Sequence, residues 1–164
     1  MEIETVNKNN ISENFLHSFL RLNNSYNPFL GPLNDCEHLD ALLNKSLYTL
    51  VLKDGNLLKG FCVVFRENSK YESKNYHFFK QRHKKFLYVD RIGVSEDLLY
   101  KGFGTKMYEH VFENNKANVP VCAEVNIVPV NKESIKFHEK MGFKKVCETH
   151  LNSKYGVRYY ERCL

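Results

Sequence analysis

The chain contains no apolar run long enough to cross a bilayer, and Met1 to Asn10 lack the apolar core of a secretory signal. No membrane association is therefore expected, and residence in the cytoplasm is. The five cysteines (Cys36, Cys62, Cys122, Cys147 and Cys163) include no Cys-x-x-Cys pair and are widely spaced. A disulfide framework or a zinc centre needs closer, paired spacing, so neither is expected. Cys62, Cys122 and Cys147 lie in strand-like runs, where a free thiol serves as a small buried hydrophobe. Internal repeats, low-complexity segments and linkers are also missing. Two phosphate-binding signatures are absent as well: the Walker A lysine and the third glycine of the dinucleotide fingerprint.

What is present reads as one globular domain spanning residues 1–164, with 43% hydrophobic and 26% charged residues. The formal charge of +5 is unevenly spread, because Glu67–Lys85 holds six Lys or Arg against two Glu. Such a segment is usually a solvated loop, and here it is read as bordering a substrate pocket rather than binding nucleic acid. Steep salt dependence of RNA binding would favour the nucleic-acid reading instead.

Hydrophobic spacing orders the rest. Ile3–Val6 reads as a short strand. Ser12 caps a helix carrying Phe15, Leu16, Phe19, Leu20 and Leu22, and Asn34 or Asp35 caps a second through Leu39, Leu42 and Leu43. Leu47–Leu52 and Leu57–Phe65 form a hairpin around Asp54-Gly55, a dipeptide that supplies positive φ angles. Segment 67–85 fits no single element. Phe86–Val94 is a strand, Thr105–Asn114 an amphipathic helix and Val121–Ile127 a strand, making a right-handed βαβ unit with parallel strands. Lys132–Lys140 is a helix ended by Gly142, and 143–151 with 157–162 closes the chain as a hairpin. The order predicts an α+β fold: a mixed, mostly antiparallel sheet with one parallel pair, flanked by about four helices.

Chemistry concentrates in two places. The loop Leu99–Thr105 joins a strand to a helix start, where glycines let backbone N–H groups converge and the helix dipole favours an anion. Two glycines alone also fit a plain tight turn. Along Val121–Ile127, Val121, Ala123, Val125 and Ile127 point one way, and Cys122, Glu124 and Asn126 the other. A carboxylate in a central strand is costly to bury without a partner, so Glu124 is either a general base or half of an ion pair with Arg91.

The run from Val94 to Gly104 resembles motif A of the GNAT acyltransferases, and Asn131-x-x-Ser134-x-x-Phe137-His138-x-x-x-Gly142-Phe143 resembles their motif B. Tyr88-Val-Asp-Arg-Ile92, Cys122-Ala-Glu-Val-Asn126, Tyr71–Tyr76 and Leu22-Asn23 are similar to one uncharacterised branch of that superfamily, so the resemblance covers most of the chain. It implies acetyl-CoA as co-substrate and an N-acetyltransferase acting on a small-molecule or peptide amine, as a monomer or homodimer. By the same resemblance, Ile92, Gly93 and Val94 pair with the pantetheine arm where two parallel strands splay apart. Leu99, Tyr100, Lys101, Gly102, Phe103, Gly104 and Thr105 hold the pyrophosphate, and Asn126, Asn131, Ser134 and Phe137 complete the cofactor site. Tyr71, Asn75, Tyr76 and Asp90 are the implied acceptor residues.

Two departures stand out. Leu99 replaces the usual Arg or Gln, and Tyr100 stands where Gly is frequent. Tyr100 calls for an ordinary backbone angle, so a different first turn is expected there. His138 occupies the position of a thiolate-protonating tyrosine. As a general acid it needs Glu124 or Glu139 to raise its pKa, and the alternative is a histidine packed on the helix face. A Cys122 acyl-enzyme is disfavoured, since no base is evident beside it. A non-catalytic acyl-CoA-binding module is the alternative function, distinguished by CoA binding without turnover on any acceptor.

Overall fold

Four helices begin at a side chain that accepts the amide three residues on, satisfying a donor the helix itself leaves open. Ser12 caps α1 (Glu13–Asn24), Asp35 caps α2 (Cys36–Lys45), Ser73 caps α3 (Lys74–Arg82) and Asn131 caps α5 (Lys132–Lys140). The remaining helix, α4 (Phe103–Asn114), starts at Gly102 without a side-chain cap. The computed structural model describes residues 1–163. The helix beyond the expected four is α3, which the pattern of segment 67–85 does not reveal. Only Asn75, Tyr76 and Phe79 of that helix are buried, so its polar remainder hides the period.

The strands are β1 (Glu2–Thr5), β2 (Tyr48–Asp54), β3 (Leu57–Arg66), β4 (Leu87–Val94), β5 (Val121–Val128), β6 (Lys144–Asn152) and β7 (Tyr155–Arg162). They form one sheet in the order β1-β2-β3-β4-β5-β7-β6, antiparallel throughout except for β4 and β5. The β2–β3 turn takes its positive φ from Gly55 (+57°).

Alternation divides the core in two. Phe61, Val63, Phe65, Tyr88, Cys122 and Tyr159 face α1, α2 and α3. Cys62, Val64, Leu87, Val89, Val121, Ala123, Val125 and Tyr160 face α4, with α5 packing through Ile135, Phe137 and Met141. The result is three layers, with helices on both sides of the sheet.

The parallel pair is short. β4 and β5 are in register only at Leu87–Val121, Tyr88–Cys122 and Val89–Ala123. Beyond Val89 the strands separate, while each stays bonded to its other neighbour. The expected splay is therefore present at the C-terminal ends of both strands.

Candidate active site

Glu124 lies one residue past the last β4–β5 pair, at the apex of the splay. Its Oε1 accepts hydrogen bonds from Tyr88 (3.0 Å) and Asn75 Nδ2 (3.1 Å). Asn75 is fixed in turn by Tyr159, whose hydroxyl donates to Oδ1 at 2.9 Å, and it reaches Tyr155 at 3.4 Å. The other carboxylate oxygen, Oε2, is buried and has no partner. Burial raises the Glu124 pKa to about 8, helped by the negative charge of Asp90. Bonds from Tyr88 and Asn75 and the charge of Arg91 oppose that rise without cancelling it.

The ion-pair reading of Glu124 is not what the geometry gives. Arg91 Nε donates to Asp90 at 2.7 Å, and its Nη1 donates to Asn23 Oδ1 at 2.7 Å and to the Gly31 carbonyl at 3.2 Å. A β-bulge between Val63 and Val64 makes this possible, because it turns Asp90 and Arg91 toward the same face. Tyr71 donates to the other Asp90 oxygen at 2.5 Å while its ring stacks on Phe65. Tyr71, Asn75 and Asp90 thus gather beside Glu124 as a polar, aromatic wall. Tyr76 does not join them. It is fully buried, donates to the Arg66 carbonyl and accepts the Ser69 amide, so its hydroxyl has no acceptor-facing role.

His138 is on the opposite side of the sheet. It is buried among Tyr108, Phe137, Phe143 and Tyr160. Nδ1 donates to the Ser134 carbonyl at 2.8 Å, which leaves Nε2 to accept the Tyr108 hydroxyl at 2.7 Å. Burial lowers its pKa to about 4, and neither expected carboxylate raises it. Glu124 is on the other face, and Glu139 is taken by Tyr160 and Arg158. The packed-histidine alternative is the one the geometry supports.

The residues expected to form a phosphate loop leave backbone amides free of the helical ladder. Lys106 makes the first helical bond of α4, to the Gly102 carbonyl at 3.1 Å, so the amides of Phe103, Gly104 and Thr105 precede the ladder. Gly102 has φ +82°, and Tyr100 has φ +62°. The expectation of an ordinary angle at Tyr100 is thus corrected: it adopts the left-handed conformation despite its side chain. Its 85% exposure explains why the ring meets no clash. Gly104 has a second duty, since a Cβ there would sit 3.1 Å from Phe137 Cζ. Asn131 and Ser134 act inside α5, as the cap and as the partner of His138. Asn126 Nδ2 reaches the Pro28 carbonyl at 3.4 Å.

At the β4 edge, the Val94 amide donates to the Tyr26 hydroxyl at 2.9 Å, and that hydroxyl donates to the Val94 carbonyl. The groups at Val94 that face the splay are therefore engaged by the α1–α2 connection. Gly93 permits this, because a Cβ there would fall 2.8 Å from Tyr26 Cε2. Alternation gives Ile92 the same outward-facing backbone as Val94. Sequence reasoning missed Tyr26 and Tyr88. Tyr88 was detectable from its spacing, two residues from Asp90 on the face that Glu124 shares. Tyr26 left no such signal, since its role depends on a loop crossing the sheet.

Elsewhere, ligand-type atoms of His83, Cys122 and Glu161 lie within 4.8 Å of one another. Glu161 Oε1 already accepts from Arg82 Nε and is hydrogen-bonded to His83 Nε2, both at 2.8 Å, so the carboxylate is held by two side chains beside a buried thiol.

A family model described as "Acetyltransferase (GNAT) family" matches residues 11–143. The chain belongs to this family. Membership makes it an acetyltransferase with acetyl-CoA as co-substrate. No curated protein matches the chain. Among solved structures, smu.2055 from Streptococcus mutans UA159 is 16% identical, with 99% of each chain covered and a TM-score of 0.73. Arabidopsis thaliana NAA60, solved in complex with acetyl-CoA, is 15% identical over 99% of this chain and 97% of that one, with a TM-score of 0.72. The ribosomal-protein-S18-alanine N-acetyltransferase of Escherichia coli is 13% identical over 98% and 91%, with a TM-score of 0.66. At these identities the similarity speaks for the fold. No helix among the described residues is long and apolar enough to cross a membrane.

Proposed function

We propose that the chain transfers the acetyl group of acetyl-CoA directly to a primary amine of a small molecule or peptide, with Glu124 as the base. One observation carries this reading: a buried carboxylate at the apex of the splay, fixed through Oε1 and unpartnered at Oε2. A base whose pKa is raised to about 8 is close in proton affinity to the groups it serves, and it is ionised often enough near neutrality to act. The amine nitrogen attacks the thioester carbon and passes its proton to Oε2, directly or through water. The carbon–sulfur bond then breaks and the thiolate leaves. A thiol with a pKa of about 8.5 departs as its anion with little help, so the reaction does not require His138.

The outward-facing Ile92 amide supports an oxyanion on the carbonyl oxygen, in a site where burial strengthens each dipole. The amides of Phe103, Gly104 and Thr105 suit the pyrophosphate, compensating for Leu99 in place of a charged side chain. Tyr71, Tyr155 and Asp90 border the acceptor's approach to Glu124. The test is an acceptor screen with acetyl-CoA and mass detection of the acetylated product, repeated with Glu124→Gln. Acetylation by the wild type and its loss in the variant are expected. Equal rates in both would remove Glu124 from the chemistry.

A further inference from the structure

The formal charge of the protein is concentrated in one segment of the chain. Of the net +5, the residues Glu67–Lys85 contribute six cations and two anions. All six cations (Lys70, Lys74, Lys80, Arg82, Lys84 and Lys85) are exposed. Arg82 is the one among them paired with a carboxylate, Glu161, leaving five lysines without an acidic partner among the described residues. Arg82 also lines a cavity of about 420 Å³ with Lys144, Lys145 and Glu161, where Lys145 is paired with Glu148. The five unpaired lysines therefore lie before, along and just beyond α3, and they form the α3 strip.

From this segregation we infer that the α3 strip is a docking surface for the phosphate backbone of a nucleic acid. Three features favour that partner. The strip is built mainly from lysine, a point charge suited to sequence-independent phosphate contact rather than to planar bidentate recognition. The apolar face of α3 is already spent on the protein: Tyr76 and Phe79 are fully buried, and Phe78 stacks on Tyr159 at 3.9 Å. No apolar side chains of α3 remain to enter a lipid surface, which an amphipathic membrane helix requires. Three of the five, Lys80, Lys84 and Lys85, lie at or beyond the C-terminal end of α3, whereas Asn75, near its N-terminal end, contacts Glu124. Docking centred on those three would leave the catalytic apex open.

Fluorescence anisotropy of a labelled oligouridylate of about twenty nucleotides, titrated with the full chain at several salt concentrations, tests this. Engagement of all five lysines predicts a slope of about −3.5 for log K against log salt on a single strand, roughly a 10²-fold loss between about 50 and 200 mM. Replacing Lys80, Lys84 and Lys85 together by Gln should reduce the slope to about −1.4, and replacement by Arg should preserve it. A control triple, Lys116, Lys136 and Lys140 to Gln, should match the wild type. These are exposed positions, so thermal melts of all variants should coincide. Absence of binding at about 50 mM salt, an equal loss in the control triple, or binding to phosphatidylserine vesicles without binding to RNA would each overturn the inference. None of these outcomes bears on acetyl transfer, which the same preparations report separately.

Discussion

Glu124, half-buried on β5, and His138, buried on α5, are both titratable side chains held against the sheet, yet desolvation makes one useful and silences the other. A carboxylic acid is neutral when protonated, so desolvation raises its pKa, for Glu124 to about 8. An imidazole is neutral when deprotonated, so the same desolvation lowers its pKa, for His138 to about 4. Their partners reinforce the contrast. Glu124 retains a free oxygen at the open splay, whereas both nitrogens of His138 are taken by Ser134 and Tyr108. On opposite faces of one sheet, desolvation yields a base poised near neutrality and a packing residue.

The largest effect should come from removing the base. Glu124→Gln keeps the shape and loses the proton acceptor, so kcat/KM should fall by about 10² to 10⁴. In the wild type, kcat/KM should rise with pH and level off above about 8, as the carboxyl loses its proton. The rising limb should disappear in the variant. Stability should run in the opposite sense. The folded pKa is raised, so the native state holds the proton more tightly, and the stability Glu124 contributes is lost as pH rises toward about 8. Thermal melts should therefore show Glu124→Gln gaining on the wild type as the buffer becomes more alkaline.

Asn75 tests whether the carboxylate must be held. It donates to Oε1 and so favours the charged form. Asn75→Ala should move the rising limb of the pH profile to higher pH and lower the rate near neutrality by about tenfold. A fall in rate with an unmoved limb would mean that Asn75 supports the fold alone, through Tyr159 and Tyr155.

Much of this site was legible before the fold. The alternation of β5 placed Glu124 and Cys122 on one face, and the resemblance carried by the paired motifs implied the splay that the sheet shows. What stayed hidden depended on contacts between distant segments. His138 sits on the apolar face of α5 whether it is catalytic or structural, and only Tyr108, 30 residues away, decides between them. Arg91 is drawn from Glu124 by Asn23 and Gly31, more than 50 residues earlier in the chain. The left-handed angle at Tyr100 could not be read from its identity, because most side chains avoid that region.

Tyr26 separates the donor edge from the base. Its hydroxyl engages both the amide and the carbonyl of Val94, the backbone that acetyl-CoA should use on entry. Tyr26→Phe should therefore bind acetyl-CoA a few-fold more tightly by calorimetry, while the pH dependence set by Glu124 stays in place. Weaker binding in the variant would instead make Tyr26 a contact for the bound molecule.

The smallest kinetic effect belongs to His138. His138→Phe should leave the pH profile of kcat/KM unchanged, because an imidazole with a pKa of about 4 is neutral wherever the enzyme works. Its cost should be structural. Phenylalanine fits among Tyr108, Phe143 and Tyr160 but leaves the buried Tyr108 hydroxyl without its acceptor, at a cost of about 1–3 kcal/mol. The pH dependence of that stability carries its own signature. His138 has a folded pKa below its unfolded value, so the unfolded chain takes up the proton first. Wild-type stability should therefore fall as pH drops from about 6.5 toward 4, by up to about 1.4 kcal/mol per pH unit. The variant should be less stable near neutrality and less sensitive to acid, so the two melting curves should converge on acidification. A loss of acetyl transfer with an unchanged melt would reverse the comparison and restore His138 to the chemistry.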